Sequence, residues 1–192
     1  MANISFSPTI ITGMGFILGG CVPISQLPAP ERPGFAGISY GVAVVTPQPM
    51  SPAFGIQGSG MKKIGPNEII GARIANLNTQ MISTIGGGVF YRKSLENNKQ
   101  RYKGWEAELG TGYVRGSVLT AYRKDNWQLF LSPGVQMQPN VALLQITLPI
   151  GFTFWKSDRF SISAEMSTSF NFWDVFDGDV TTRINPTIGV EF

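Results

Sequence analysis

Histidine is missing from this chain altogether. That rules out a Ser-His-Asp arrangement and the His-containing metal sites, since histidine is the one side chain whose ordinary pKa, about 6.5, lies near working pH. Charge is scarce as well: Asp, Glu, Lys and Arg make up 14% of 192 residues, where soluble domains carry about 25%. A soluble sheet normally covers its outer face with those residues, so the shortage argues against a surface meeting bulk water. Cysteine occurs once, at Cys21, which excludes a disulfide framework within the chain. No apolar run reaches the roughly 18 residues of a membrane-crossing helix. The net charge of +3 is scattered in short groups near expected turns, such as Lys62-Lys63, Arg92-Lys93 and Arg123-Lys124. Nucleic acid, which calls for a basic patch or stripe, is therefore not an expected partner.

What the chain does have is glycine (23 residues), phenylalanine (13 residues) and long stretches of period-two alternation. The clearest runs over residues 141–173. Leu144, Ile146, Leu148, Ile150, Phe152 and Phe154 alternate with Gln145, Thr147, Pro149, Gly151 and Thr153. After Lys156-Ser157-Asp158 the pattern resumes, with Ile162, Ala164, Met166, Thr168 and Phe170 against Ser161, Ser163, Glu165, Ser167 and Ser169. Alternation of this kind gives a sheet one apolar and one polar face. Folding the hairpin about Ser157 sets Phe154 opposite Phe160 and matches apolar with apolar throughout. Each strand exceeds the about 9–11 residues that cross a bilayer. The apolar face is aliphatic in the middle and aromatic at both ends, the order of a lipid-facing band between aromatic girdles.

Other segments follow the same pattern. Residues 34–45, 53–62 and 81–91 read as strands; 68–78 has Ile70, Ile74 and Leu77 at helical spacing but also fits a strand with Ile70, Ala72 and Ile74 on one face and Gly71 and Arg73 on the other, the reading its strand neighbours favour. Gly86-Gly87-Gly88 marks a bend or a close backbone approach. The polar run 94–103 is read as a loop, and 105–113 as one strand in which Glu106 and Glu108 face away from Trp105, Ala107 and Leu109. Lys124-Asp125-Asn126 is a turn, and 180–192 is the last strand.

The chain ends carry a resemblance. Residues 1–20 hold a short apolar segment, the size of a signal-peptide core, and end in Leu18-Gly19-Gly20-Cys21. This resembles a bacterial lipoprotein signal, although 1–20 lacks the usual Lys or Arg. Residues 21–33 are proline-rich and read as an extended tether. At the other end Ile184, Ile188, Val190 and Phe192 resemble the terminal strand of bacterial outer-membrane β-barrels, with Pro186 a departure from that pattern. The chain thus resembles a small outer-membrane barrel over 34–192. The resemblance implies a cleaved signal peptide (1–20), lipidation at Cys21, and an assembly signal of Ile188, Val190 and Phe192 read by the barrel-assembly machinery.

The expected fold is all-β: a closed antiparallel up-and-down transmembrane β-barrel of eight strands, with ten as the runner-up. The expected polar lumen set is Arg73, Glu106, Glu108, Gln145, Glu165, Arg183 and Glu191. A barrel this size is filled by its own side chains. The expected function is a non-enzymatic, structural or envelope-associated protein of the bacterial outer membrane, without cofactor or metal. Its partners are outer-membrane lipid, the assembly machinery and other envelope proteins. The alternatives are a narrow small-solute channel and a soluble barrel that turns its Phe/Ile/Leu face inward around an apolar ligand.

Overall fold

A computed structural model describes residues 34–45, 53–78, 83–138, 143–155, 161–172 and 181–192. The leader 1–20, Cys21 and the tether 21–33 lie outside the described residues, as do the turn at 156–158 and Phe160. Eleven strands follow one another: β1 (Gly34–Val45), β2 (Ala53–Gly65), β3 (Glu68–Asn78), β4 (Ser83–Asn97), β5 (Arg101–Gly110), β6 (Tyr113–Lys124), β7 (Trp127–Leu131), β8 (Gly134–Gln138), β9 (Leu143–Trp155), β10 (Ser161–Asn171) and β11 (Thr181–Glu191). Every pairing is antiparallel, and neighbours in sequence are neighbours in space. β7 and β8 together fill one place between β6 and β9. The ladder then returns to its start, where β1 pairs with β11 from Phe35–Glu191 to Val45–Thr181. The pairings thus form a closed ring with ten places.

Among the described strands the number of places is ten, the runner-up count, where eight was expected. The expectation of eight rests on a spacing of eighteen to twenty residues between the most obvious strands. The connections 66–67, 111–112 and 125–126 are tight turns, so more strands fit. Residues 105–113 are not one strand: β5 ends at Gly110 and Tyr113 begins β6. Gly112, with φ of 78°, takes the left-handed conformation that the turn requires. The polar run 94–103 is not a loop either. β4 continues to Asn97, β5 starts at Arg101, and Asn98 Oδ1 accepts from the backbone N–H groups of Gln100 and Arg101. A polar sequence can still form a ladder here because both faces of this hairpin end carry hydrophilic side chains.

The β9–β10 register also differs from expectation by one pair. Phe154 faces Ile162, Phe152 faces Ala164 and Ile150 faces Met166. A shift of two residues preserves both faces, so polarity alone cannot tell the two registers apart. The observed one sets a large ring against a small alanine.

Burial is inverted relative to a soluble domain. The apolar set points outward, as with Ile74 (59% exposed), Ile85 (67%) and Leu109 (62%). The residues between them point inward and are buried, and most are polar: Gln57, Arg73, Arg92, Glu106, Glu108, Arg115, Gln145, Thr153 and Glu165 among them. The alternative with the Phe/Ile/Leu face inward around a ligand is overturned, because Phe152, Phe154, Ile150 and Ile162 are exposed.

The ladder breaks at the prolines. β1 pairs with β11 as far as Ser39–Thr187 and resumes at Val42–Ile184, so Pro186 sits in the gap while keeping Met166 as its partner on β10. Pro149 sits where β9 changes partner from β8 to β7. There its carbonyl accepts from the Ser132 N–H at 2.9 Å. A residue without an N–H is tolerated at such breaks.

Candidate functional site

The inward faces of β3, β4, β5 and β6 converge on a buried ion-pair cluster. In β3 the sequence Ile-Gly-Ala-Arg-Ile turns Arg73 inward because Ile70, Ala72 and Ile74 take the outer face. In β5, Trp105, Ala107 and Leu109 take the outer face and turn Glu106 and Glu108 inward. Arg73 lies across Glu106 in a two-point pair, Nη1 to Oε1 at 2.7 Å and Nη2 to Oε2 at 2.8 Å. Its Nη1 also reaches Glu108 Oε2 at 2.7 Å. Arg92, from β4, donates to Glu106 Oε2 through Nε (3.0 Å) and Nη2 (2.8 Å). Arg115, from β6, donates to Glu108 Oε2, and the Tyr113 hydroxyl donates to Glu108 Oε1 at 2.7 Å. The Arg73 guanidinium rests 4.0 Å from the centre of the Phe90 ring.

Three arginines thus face two carboxylates, and every strand from β3 to β6 supplies a member. Planar guanidinium forks matched to carboxylates are the strongest form of this contact. Taking such charges out of water is costly, so the cluster holds only as a whole.

Toward the connections 98–100 and 125–126, the lumen is filled by Tyr102, Leu119, Ala121 and Phe130, which form one buried apolar group. Arg123 joins it, donating to Gln128 Oε1 (2.8 Å) and Asn97 Oδ1 (2.9 Å). The wall formed by β7, β9 and β10 is different. It presents Gln128, Thr147, Thr153, Ser161 and Ser163, with Thr153 and Ser163 hydroxyls 3.1 Å apart. Among the described residues, Gln128 Nε2, Thr147 Oγ1 and Ser161 Oγ on this wall, with Ser132 Oγ beside it, find no hydrogen-bond partner.

Of the seven lumen residues expected, Arg73, Glu106, Glu108, Gln145 and Glu165 are buried on the inner face. The first three meet in the cluster, while Gln145 and Glu165 stand on the other wall. Arg183 and Glu191 belong to β11, with Arg183 opposite Ala43 and Ser169 and Glu191 opposite Phe35 and Ser161; their side chains lie outside the described residues. Ile188, Val190 and Phe192 are exposed. Arg92, Tyr113 and Arg115 were missed. Arg92 shares the parity of Phe90 and so was findable once β4 was extended. Tyr113 and Arg115 needed the turn at 111–112, which resets the alternation.

No family model matches the chain, and neither does any curated protein. Among solved structures the similarity found is low. The neisserial surface protein A is 8% identical, with 84% of this chain and 97% of that one covered, at a TM-score of 0.44. The KdgM porin in complex with oligogalacturonate is 9% identical, covering 81% and 98%, at 0.46. The outer-membrane protease OmpT from Escherichia coli is 9% identical, covering 83% and 93%, at 0.47.

Proposed function

We propose that this chain is a non-enzymatic integral protein of the bacterial outer membrane, a barrel with a structural or envelope-associated role whose lumen is closed by its own side chains. The observation that carries this reading is the inverted burial: a closed ring of strands with an apolar outer surface and a charged, hydrogen-bonded interior. A lipid surround suits the outside, and closure removes the unpaired strand edges that lipid does not tolerate. Two lumen layers, the ion-pair cluster and the Tyr102–Leu119–Phe130 group, favour a plug over a pore. In this reading Cys21 carries lipid after cleavage of 1–20, and Ile188, Val190 and Phe192 form the face read by the assembly machinery.

The test is the migration of membrane-extracted protein on an SDS gel, unheated against boiled, followed by planar-bilayer recording. A folded barrel migrates faster until boiled, a plugged one conducts nothing measurable, and labelled palmitate incorporation disappears in Cys21→Ser. Protein found in the soluble fraction without a gel shift would overturn the membrane reading. Deletion of Phe192 should lower the yield of the shifted form; an unchanged yield would remove it from the assembly signal. A narrow small-solute channel is the second reading. It is favoured by Gln128 Nε2, Thr147 Oγ1 and Ser161 Oγ, which find no hydrogen-bond partner on this wall among the described residues, and steady single-channel currents would establish it.

A further inference from the structure

Among the described residues, the outer surface carries charge at one end only. In an up-and-down ring the connections 66–67, 98–100 and 125–126 share an end with the start of β1 and the finish of β11, because Gly34 pairs with Gly60 and Glu191 with Phe35. Five outward cations stand at this end among the described residues: Lys62, Lys93, Arg101, Lys103 and Lys124, all exposed. They come from four strands, β2, β4, β5 and β6. Two carboxylates accompany them. Glu68 lies 3.6 Å from Lys93 Nζ and Glu96 lies 3.5 Å from Lys103 Nζ, in solvent-exposed pairs of the kind that contribute little. Lys62, Arg101 and Lys124 have no carboxylate within ion-pair distance among the described residues. The turns at the same end add Lys99 and Asp125.

Immediately inside this row runs a belt of aromatic rings. Tyr91 and Trp105 are 5.4 Å apart, Tyr122 and Trp127 are 5.8 Å apart, and Trp127 stacks on Phe152 at 5.8 Å. Belt and cations are in register: Lys93 is the direct cross-strand partner of Trp105, and Lys124 that of Trp127. Such rings settle at the level of lipid headgroups. A lysine beside them can lay its methylene stem on the apolar face and lift its ammonium to the phosphate layer. Beyond the belt toward the opposite end, the described outward side chains of these strands carry no charge.

We infer that Lys62, Lys93, Arg101, Lys103 and Lys124 form a collar that binds the anionic headgroups of phospholipids in the leaflet at the end of the barrel where β1 begins and β11 finishes. The inference rests on the membrane reading given above. The ligand chemistry is a phosphodiester with net negative charge, of the phosphatidylglycerol type, in contrast to a zwitterionic headgroup.

The two tryptophans beside the collar report it. The full chain is refolded into phosphatidylcholine vesicles in which either the phosphatidylcholine or an added phosphatidylglycerol is brominated, and tryptophan quenching is measured. The expected result is an apparent preference for phosphatidylglycerol of about fivefold, lost near 1 M salt, where screening shortens to ~3 Å. In the variant K62Q/K93Q/R101Q/K103Q/K124Q the preference should fall to about onefold. Equal quenching by the two lipids, in wild-type protein that shows the heat-dependent gel shift, would overturn the collar and leave the barrel reading standing. Absence of that shift in every vesicle would overturn the membrane reading, and the collar with it.

Discussion

Glu106 is the residue on which the lumen depends most. It accepts from Arg73 through both oxygens and from Arg92 twice more, and it is itself 2% exposed. Glu106→Gln keeps the shape and removes the charge, leaving three arginines around Glu108 alone. Breaking a buried pair from one side in this way costs about 3–5 kcal/mol. A matching drop in stability is expected in urea unfolding followed by tryptophan fluorescence in vesicles. An unchanged midpoint would mean that water screens these charges and that the lumen is open.

The strands depend on small residues as much as on large ones. Three inward glycines lie directly opposite inward aromatic rings: Gly71 opposite Phe90, Gly110 opposite Tyr113 and Gly151 opposite Phe130. In each case the ring occupies the space a Cβ on the glycine would need. The rings thereby cover bare backbone and fill the lumen at once, a recurrent device in curved sheets. Gly151→Val should displace Phe130 and destabilise the barrel by about 1–3 kcal/mol, the usual range for overpacking. Gly116, on the outer face of β6, has open space where its Cβ would stand, so Gly116→Val is the control and should be near neutral. Equal effects of the two, read by the same unfolding assay, would contradict the facing of β6 and β9.

Across the whole barrel, inverted polarity sets what a charge does at each position. Ile150 is 46% exposed on the outer face of β9, and Thr147 is buried on the inner face. Ile150→Arg should cost about 2–4 kcal/mol if it meets lipid at mid-depth, a penalty that shrinks near the interface. It should therefore be larger in thick-bilayer vesicles than in thin ones. Thr147→Arg acts by crowding and should be indifferent to thickness. Refolding yields that do not distinguish the two variants would mean the outer face does not meet lipid.

The two faces of β3, β5, β9 and β10 were legible in the sequence, because alternation depends only on which residues follow one another. Ile70–Ile74 against Arg73, and Trp105–Leu109 against Glu106 and Glu108, stand as their order requires. The ends of β4, β5 and β6 were not legible, since a two-residue turn such as 111–112 reverses the chain and flips the parity of the alternation within a few residues. The register of β9 against β10 was equally hidden, because a slip of two residues matches the same classes of side chain. Only the tertiary structure decided that the apolar face points outward, that the ring has ten places, and that Arg73, Arg92 and Arg115, distant in sequence, close on Glu106 and Glu108. The reason is physical: a sequence pattern fixes that two faces differ, whereas which face turns into the lumen depends on closing the ring.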